Sequence, residues 1–236
     1  MAASPWCGCS QGAPPPPART PAAPPTIKEE PELESLDRRA VTQALGVMRP
    51  QLVRCHLVGR RRIPFLAGNV RFAVRINAQG KGLHGHLVES TLGDDASERC
   101  LLDVLTGGTW PPSTGEVEVR DVLELAAGGE PAPWGPGKVL DSVTASKAMQ
   151  RALRACKADG SLNLTAYVVP AGASSPTATD PRKPSSDRNE PGKFLGVGAA
   201  ASTKESAAKA SCVIAALKAL ALPNPGGYAA KVSLDL

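Results

Sequence analysis

The sequence predicts an α+β protein built from two tandem copies of one small α-β-β-α-β module. Three observations predict this fold: a helical stripe that ends in cysteine, a strand with strict apolar alternation, and a second helix with an early cysteine. All three occur twice, in the same order. A chain of 236 residues suits two modules of about 90 residues each. Each module is expected to form an antiparallel-type three-stranded sheet with two helices.

The amino-terminal segment, residues 1–37, is predicted to be a disordered tether. It combines a proline-rich stretch with an acidic one, a composition that buries too little apolar surface to fold. Residues 1–27 contain no apolar run, so neither a signal peptide nor a membrane span is predicted there. Aromatic residues make up 3% of the whole chain, and the cores are therefore expected to consist of small aliphatic side chains.

The first helix of each copy is predicted from apolar residues spaced 4, 4 and 3 apart on one face. The two stripes lie in residues 40–56 and 142–157: Ala44, Met48, Leu52 and Cys55, then Ala145, Met149, Leu153 and Cys156. Pro50 falls inside the first pattern and is expected to kink or restart that helix. The second pattern has no proline.

A strand with period-two alternation follows each first helix. The alternating residues are Val70, Phe72, Val74 and Ile76 in one copy, and Leu162, Leu164, Ala166 and Val168 in the other. A turn at residues 78–80 leads to a second strand at 81–89. In the second copy, residues 173–192 form a low-complexity loop in the same hairpin, and Gly192-Lys193 matches Gly80-Lys81.

The second helices are predicted to begin with capping pairs, Thr91 with Asp94 and Ser202 with Glu205. Final strands are expected at 116–125 and 228–236. The resulting division has a tether at 1–37, a first module at 38–127, a Gly/Pro linker at 128–141 and a second, degenerate module at 142–236. Trp110, which precedes two prolines, is expected to be a packing residue that closes the first sheet.

Four cysteines recur as one pair in each copy, and we expect disulfides between Cys55 and Cys100 and between Cys156 and Cys212. Each bond would join the two helices of its module. Three alternatives remain open: free buried cysteines, a metal site and a catalytic thiol. Disulfides imply an oxidising compartment. Cys7 and Cys9 precede the proline-rich tether and are considered as lipidation sites, although neither follows the small residues of a usual lipobox.

The sequence shows no constellation of residues that predicts catalysis, and no catalytic, cofactor-binding or metal-binding residues are assigned. His56, His84 and His86 could be combined into a metal site, but the second copy lacks them. Arg60, Arg61 and Arg62 form a cationic loop within a chain of net charge +5. This loop is the basis of an alternative function in nucleic-acid binding, which the mixed charge of the remaining chain disfavours.

The first copy resembles the AgmX/PglI C-terminal domain, which is similar to the C-terminal domain of TonB. The resemblance covers residues 41–125 and is carried by five short motifs, while residues 142–236 match in outline only. The motifs are Gly68–Ile76, Gln79-Gly80-Lys81-Gly82, Val88-Glu89-Ser90-Thr91-Leu92, Glu98-Arg99-Cys100, and Trp110-Pro111-Pro112 with Gly115-Glu116-Val117.

The resemblance implies a periplasmic or outer-membrane-associated protein of the cell envelope, related to gliding-motility or TonB-like machinery. The expected function is non-catalytic: protein–protein interaction or scaffolding, with an envelope protein as partner. The mode of binding implied is addition of a partner strand at a sheet edge. Membrane association is expected only through lipidation.

Overall fold

The computed structural model describes residues 36–126, 132–133, 135–156, 162–171, 191–225 and 229–236. The tether up to residue 35, Cys7, Cys9 and most of the 173–192 loop lie outside the described residues. The described residues belong to one compact unit. The fold is α+β, and it contains the two tandem modules that the sequence predicts.

The first module has five elements in the predicted order. They are α1 (Arg38–Arg62), β1 (Gly68–Ile76), β2 (Gly82–Ser90), α2 (Asp95–Gly107) and β3 (Val117–Leu125). The strands form an antiparallel sheet in the order β2-β1-β3. Strand β1 is therefore central, and it is followed in the chain by one of its neighbours in the sheet.

The second module repeats this arrangement with more interruptions. Its elements are β4 (Ala132–Pro133), α3 (Gly137–Ala145), α4 (Lys147–Ala155), β5 (Leu162–Pro170), β6 (Gly192–Ala201), α5 (Lys204–Ala207), α6 (Ala210–Lys218) and β7 (Ala230–Asp235). The strands β7-β5-β6 form the equivalent antiparallel sheet. The short strand β4 pairs with β7 in parallel.

The apolar alternation of β1 creates the first core. Val70, Phe72, Val74 and Ile76 are all fully buried, because alternate side chains of a strand point to one face of the sheet. Trp110 is also buried, its Nε1 donates to the carbonyl of Leu105 (2.9 Å), and its ring lies 6.2 Å from that of Phe72. The predicted packing role of Trp110 is confirmed.

The duplication extends to backbone contacts between distant segments. In the first module, the N–H of Trp110 donates to the carbonyl of Gly80 (2.9 Å). In the second module, the N–H of Leu222 donates to the carbonyl of Gly192 (3.1 Å). A Cβ at Gly80, whose φ is +76°, would lie 2.0 Å from the carbonyl oxygen of Trp110. The turn therefore requires glycine for both its conformation and this close approach.

The prediction that Pro50 restarts the first helix is wrong, since α1 continues through it to Arg62. Proline removes one helical hydrogen bond and costs about 3 kcal/mol in a helix interior. Buried residues lie on both sides of it, Met48 before, and Leu52 and Cys55 after. Burial of both segments in the same hydrophobic core offsets this cost.

The interruption falls instead in the second module, where no proline is present. Helix α3 ends at Ala145, and Ser146 begins α4 by accepting a hydrogen bond from the N–H of Met149 (3.2 Å). The prediction of one helix over 142–157 is therefore corrected to two. Part of the predicted linker also belongs to this module, because Val139 of α3 is fully buried in its core.

The predicted helix caps lie close to the observed ones. Asp94 caps α2 by accepting from the N–H of Ser97 (3.1 Å), and Thr91 has no part in this cap. In the second module, Thr203 caps α5 by accepting from Ser206 (3.2 Å). The predicted pair Ser202 with Glu205 is thus displaced by one residue, because only the Thr203 hydroxyl reaches a free N–H of the first turn.

Candidate functional site

Both modules contain a disulfide that joins their two helices. Cys55 bonds to Cys100 and Cys156 to Cys212, each with a Cα–Cα distance of 5.7 Å. These are the predicted pairings, and they point to an extracytoplasmic or otherwise oxidising environment. None of the helices in the described part of the chain is long and apolar enough to cross a membrane.

The two modules pack against each other through equivalent elements. Helix α2 of the first module contacts β6 of the second, α5 of the second contacts β2 of the first, and β2 also contacts β6. Because α2 is equivalent to α5–α6 and β2 to β6, the interface has the pattern of a two-fold symmetric dimer. Strand β5 is consequently buried on both faces.

Tyr167 is the largest side chain buried at this interface. Its hydroxyl donates to the carbonyl of Ala67 (3.2 Å) and accepts from the N–H of the same residue (3.3 Å). Its ring lies 5.4 Å from that of Phe65, and the Nζ of Lys231 lies 5.4 Å from its centroid. Burial raises the pKa of Tyr167 to about 12, so it remains a neutral hydrogen-bond donor.

Glu98 of α2 is a buried acid at the same interface. Its Oε1 accepts from the Ser90 hydroxyl (2.6 Å) and the Gly93 N–H (3.2 Å), and its Oε2 accepts from the Ala199 N–H (3.1 Å). The carboxyl group occupies the space where Gly198 lacks a side chain, since a Cβ there would lie 2.1 Å from Oε1. Burial raises the pKa of Glu98 to about 7 despite these hydrogen bonds.

The residues considered for metal or nucleic-acid binding are dispersed. The Nε2 of His56 lies 2.8 Å from the carbonyl oxygen of Leu66, whereas His84 and His86 lie on β2. In the part of the chain that the structure describes, no three His, Cys, Asp or Glu residues form a metal-binding group. The prediction that Arg60, Arg61 and Arg62 form a loop is wrong, since they are the last turn of α1. Arg62 contacts Asp94, and Arg60 donates to the carbonyl of Pro64 (3.3 Å).

Strand β3 is one of the two edge strands of the first sheet, and across the described residues its outer side has no strand partner. The other edge strand, β2, contacts β6 of the second module. The N–H of Val122 donates to Oδ1 of the neighbouring Asp121 (2.8 Å), which indicates that it points away from β1. Pairing alternates along an antiparallel strand, so the backbone groups of Arg120 and Glu124 lie on the same outer side. This open edge spans nine residues.

The corresponding edge of the second module is partly covered. Strand β7 is equivalent to β3, and β4 adds to it in parallel through Ala132 and Pro133, which lie opposite Ala230 and Lys231. The chain itself thus adds a strand to this sheet edge.

Each module also has a groove between its helices. The groove of the first module, about 730 Å³, includes Met48 and Val104, and that of the second, about 710 Å³, includes the equivalent Met149 and Ala216. The first groove includes the polar residues Gln51, Arg99, Asp103 and Thr109, but none of them recurs in the second groove, which is lined mainly by alanine. The β3 edge presents a row of backbone donors and acceptors. The edge is therefore the candidate functional site.

Comparison of the chain with family models, with curated proteins and with solved structures finds no match.

Proposed function

We propose that this protein is a non-catalytic interaction or scaffold protein of the cell envelope, which binds an envelope protein by strand addition. The open outer edge of β3 is the observation that carries the proposal. A partner segment in extended conformation would form main-chain hydrogen bonds with Arg120, Val122 and Glu124. The resemblance to TonB-like C-terminal domains supports the same mode, and location in the periplasm or at the outer membrane is part of the proposal.

The side chains of β3 indicate which partner sequence would fit. On the helix side of the sheet, Leu123 and Leu125 are half-buried against the core, so a partner would place apolar side chains beside them. On the other face, Val122 is exposed and lies between Arg120 and Glu124. A partner strand with alternating apolar and mixed-charge residues complements both faces.

A proline substitution tests this mode directly. Val122→Pro removes the outward N–H, and proline is tolerated on the solvent side of an edge strand. We expect pull-downs with the full chain from envelope fractions to capture a partner, and Val122→Pro to reduce capture at least tenfold. Val122→Thr retains the N–H and serves as the matched control, which should capture as well as the wild type. Equal capture by all three proteins would exclude strand addition at β3.

The cationic last turn of α1 provides little support for nucleic-acid binding. Arg62 is paired with Asp94, and among its neighbours Arg71 pairs with Glu89 (3.7 Å). These pairs reduce the charge available to contact phosphates. Mobility shifts at low salt, where such binding is strongest, separate the two functions.

A further inference from the structure

Helix α1 carries much of the positive charge of the protein. Seven of its 25 residues are arginine, and none is aspartate or glutamate. The whole chain has a net charge of only +5, so the remaining residues are slightly acidic in sum. Arg62 pairs with Asp94, and Arg60 donates to the carbonyl of Pro64 (3.3 Å). The other five arginines form no ion pair with any residue that the structure describes: Arg38, Arg39, Arg49, Arg54 and Arg61.

Apolar side chains are exposed on the side of α1 that faces away from the core. Val47 is 81% exposed, Leu57 is 51% exposed, and Val53 and Val58 are each 43% exposed. Packing of the second module leaves them uncovered, since these values apply to the compact unit that contains both modules. An apolar patch that a folded chain leaves exposed marks an interaction site.

Arginines lie between these apolar side chains on the helix surface. Arg54 lies three residues before Leu57 and four before Val58. Arg61 lies three residues after Val58 and four after Leu57. Residues at these spacings are neighbours on a helix, so cationic and apolar side chains alternate along one face. This outer face of α1 consists of six residues: Val47, Val53, Arg54, Leu57, Val58 and Arg61.

The fold of the module does not require exposed apolar residues on this face. Alignment of the two copies places Ala148 of α4 at the position of Val47, and Arg154 at the position of Val53. Both residues of α4 are exposed, so that the equivalent face of the second module is polar. The combination of exposed apolar and cationic side chains is therefore specific to the first module.

We propose that the outer face of α1 binds the surface of a bilayer that contains anionic phospholipids. The arginine side chains would contact lipid phosphates, and the valine and leucine side chains would enter between the headgroups, as in helices that lie in the membrane interface. The aliphatic part of an arginine side chain lets its charged end stay at the headgroups while its neighbours enter more deeply. This mode of association requires neither a spanning helix nor a lipid anchor.

Nucleic acid is the other polyanion that a cationic helix can contact. The exposed valine and leucine side chains favour the bilayer, because a phosphate backbone is contacted by polar and charged groups, whereas the headgroup region also accepts apolar ones. In addition, α1 contains no aromatic residue on which bases could stack.

Co-sedimentation of the full chain with lipid vesicles tests the proposal. We expect binding to vesicles of phosphatidylglycerol and phosphatidylcholine in equal parts, and binding weaker by about tenfold or more to vesicles of phosphatidylcholine alone. Duplex DNA at the same phosphate concentration should bind less tightly than the anionic vesicles. Equal binding to the two kinds of vesicle would overturn the proposal. Tighter binding to DNA would assign the face to nucleic acid instead.

Two matched pairs of substitutions locate the cationic part of the surface. Arg54→Gln with Arg61→Gln removes two charges from the outer face and should weaken binding to the anionic vesicles by about tenfold or more. Arg151→Gln with Arg154→Gln removes the same charge from exposed positions of α4 and should leave binding unchanged. Equal losses in the two variants would mean that net charge alone attracts the protein, and would contradict a specific surface on α1.

The apolar part of the face is tested without a change of charge. Val53→Gln with Leu57→Gln should weaken binding to anionic vesicles by about tenfold and leave any binding to DNA unchanged. Val47→Gln, at the most exposed of these positions, preserves the test if the double variant fails to fold, and it should also weaken vesicle binding. Vesicle binding that is unchanged in folded variants would exclude insertion of this face into the headgroup region. None of these variants alters β3, so failure here leaves the function proposed for that edge intact.

Discussion

Glu98 is held in an environment that favours its neutral form. It lies in the first turn of α2, where a carboxylate would ordinarily be stabilised by the helix dipole. Three hydrogen bonds also favour the charged form, from Ser90, Gly93 and Ala199. Loss of hydration outweighs these contributions and raises the pKa of Glu98 from 4.5 to about 7.

The raised pKa makes the stability of the protein depend on pH. The folded state binds the Glu98 proton more tightly than the unfolded state, so the contribution of this group is fully present below about pH 4.5. This contribution to the free energy of unfolding is about 3 kcal/mol, and it is lost as the pH rises to about 7. We expect the free energy of unfolding, measured in urea at several pH values, to fall over this interval relative to that of Glu98→Gln. The glutamine variant cannot titrate and therefore subtracts the contribution of all other groups. Parallel pH profiles for the two proteins would show that the pKa of Glu98 is the same in the folded and unfolded states.

At the scale of elements, the sequence predicted the parts of the fold that depend on local periodicity. The strands β1 and β5, the order of elements in each copy and both cysteine pairings follow from spacing along the chain. The burial of β5 on its second face was not predicted, because it depends on the other module. In the second copy, Gly196 and Gly198 stand where the first copy has His84 and His86. From the sequence alone, this difference indicates only that the two copies have diverged. In the structure a Cβ at Gly196 would lie 2.6 Å from Ile63 of the first module, and these glycines accommodate the interface.

The candidate site was predicted less completely than the fold. A sheet edge was expected to bind a partner, but which edge is open depends on strand order, and alternation alone does not determine it.

The two disulfides are expected to stabilise their modules by similar amounts, although the cores of the two modules differ in composition. They close loops with sequence separations of 45 and 56 residues, for which the chain-entropy relation gives about 4 kcal/mol each. The second core is formed mainly of alanine and medium-sized aliphatic residues, whereas Phe72 and Trp110 enlarge the first.

We expect Cys55→Ala with Cys100→Ala, and Cys156→Ala with Cys212→Ala, each to lower the free energy of unfolding by about 4 kcal/mol. The second pair should lower the thermal midpoint further, because less apolar area remains to hold that module. Both variants are compared with the wild-type protein by urea and thermal unfolding. A loss below about 1 kcal/mol in either would show that helix packing alone maintains that module.

At the scale of the whole molecule, the two modules form a pseudo-symmetric pair within one chain. The interface contains polar groups that are paired across it, Tyr167 with Ala67 and Glu98 with Ala199. The Thr165 hydroxyl similarly lies 3.2 Å from the Ser90 carbonyl. A buried polar group that loses its partner is costly, so these contacts specify one arrangement of the modules.

Coupling between the modules should be measurable at the contact of Glu98 with Gly198. A Cβ at Gly198 would lie 2.1 Å from one carboxyl oxygen and 2.4 Å from the other, and Glu98 is held by three hydrogen bonds and cannot move freely. We therefore expect Gly198→Ala to lower the free energy of unfolding by about 1–3 kcal/mol, as overpacking does in other interiors. Glu98→Ala removes the obstacle, so the double variant should lose at least about 1 kcal/mol less than the sum of the two single losses. Gly107→Ala serves as the control, because a Cβ at that position meets nothing within 4 Å. Urea unfolding of the four proteins at one pH gives the coupling free energy between the modules. Additive losses would mean that the two residues do not touch in solution, and that the interface differs from the one described.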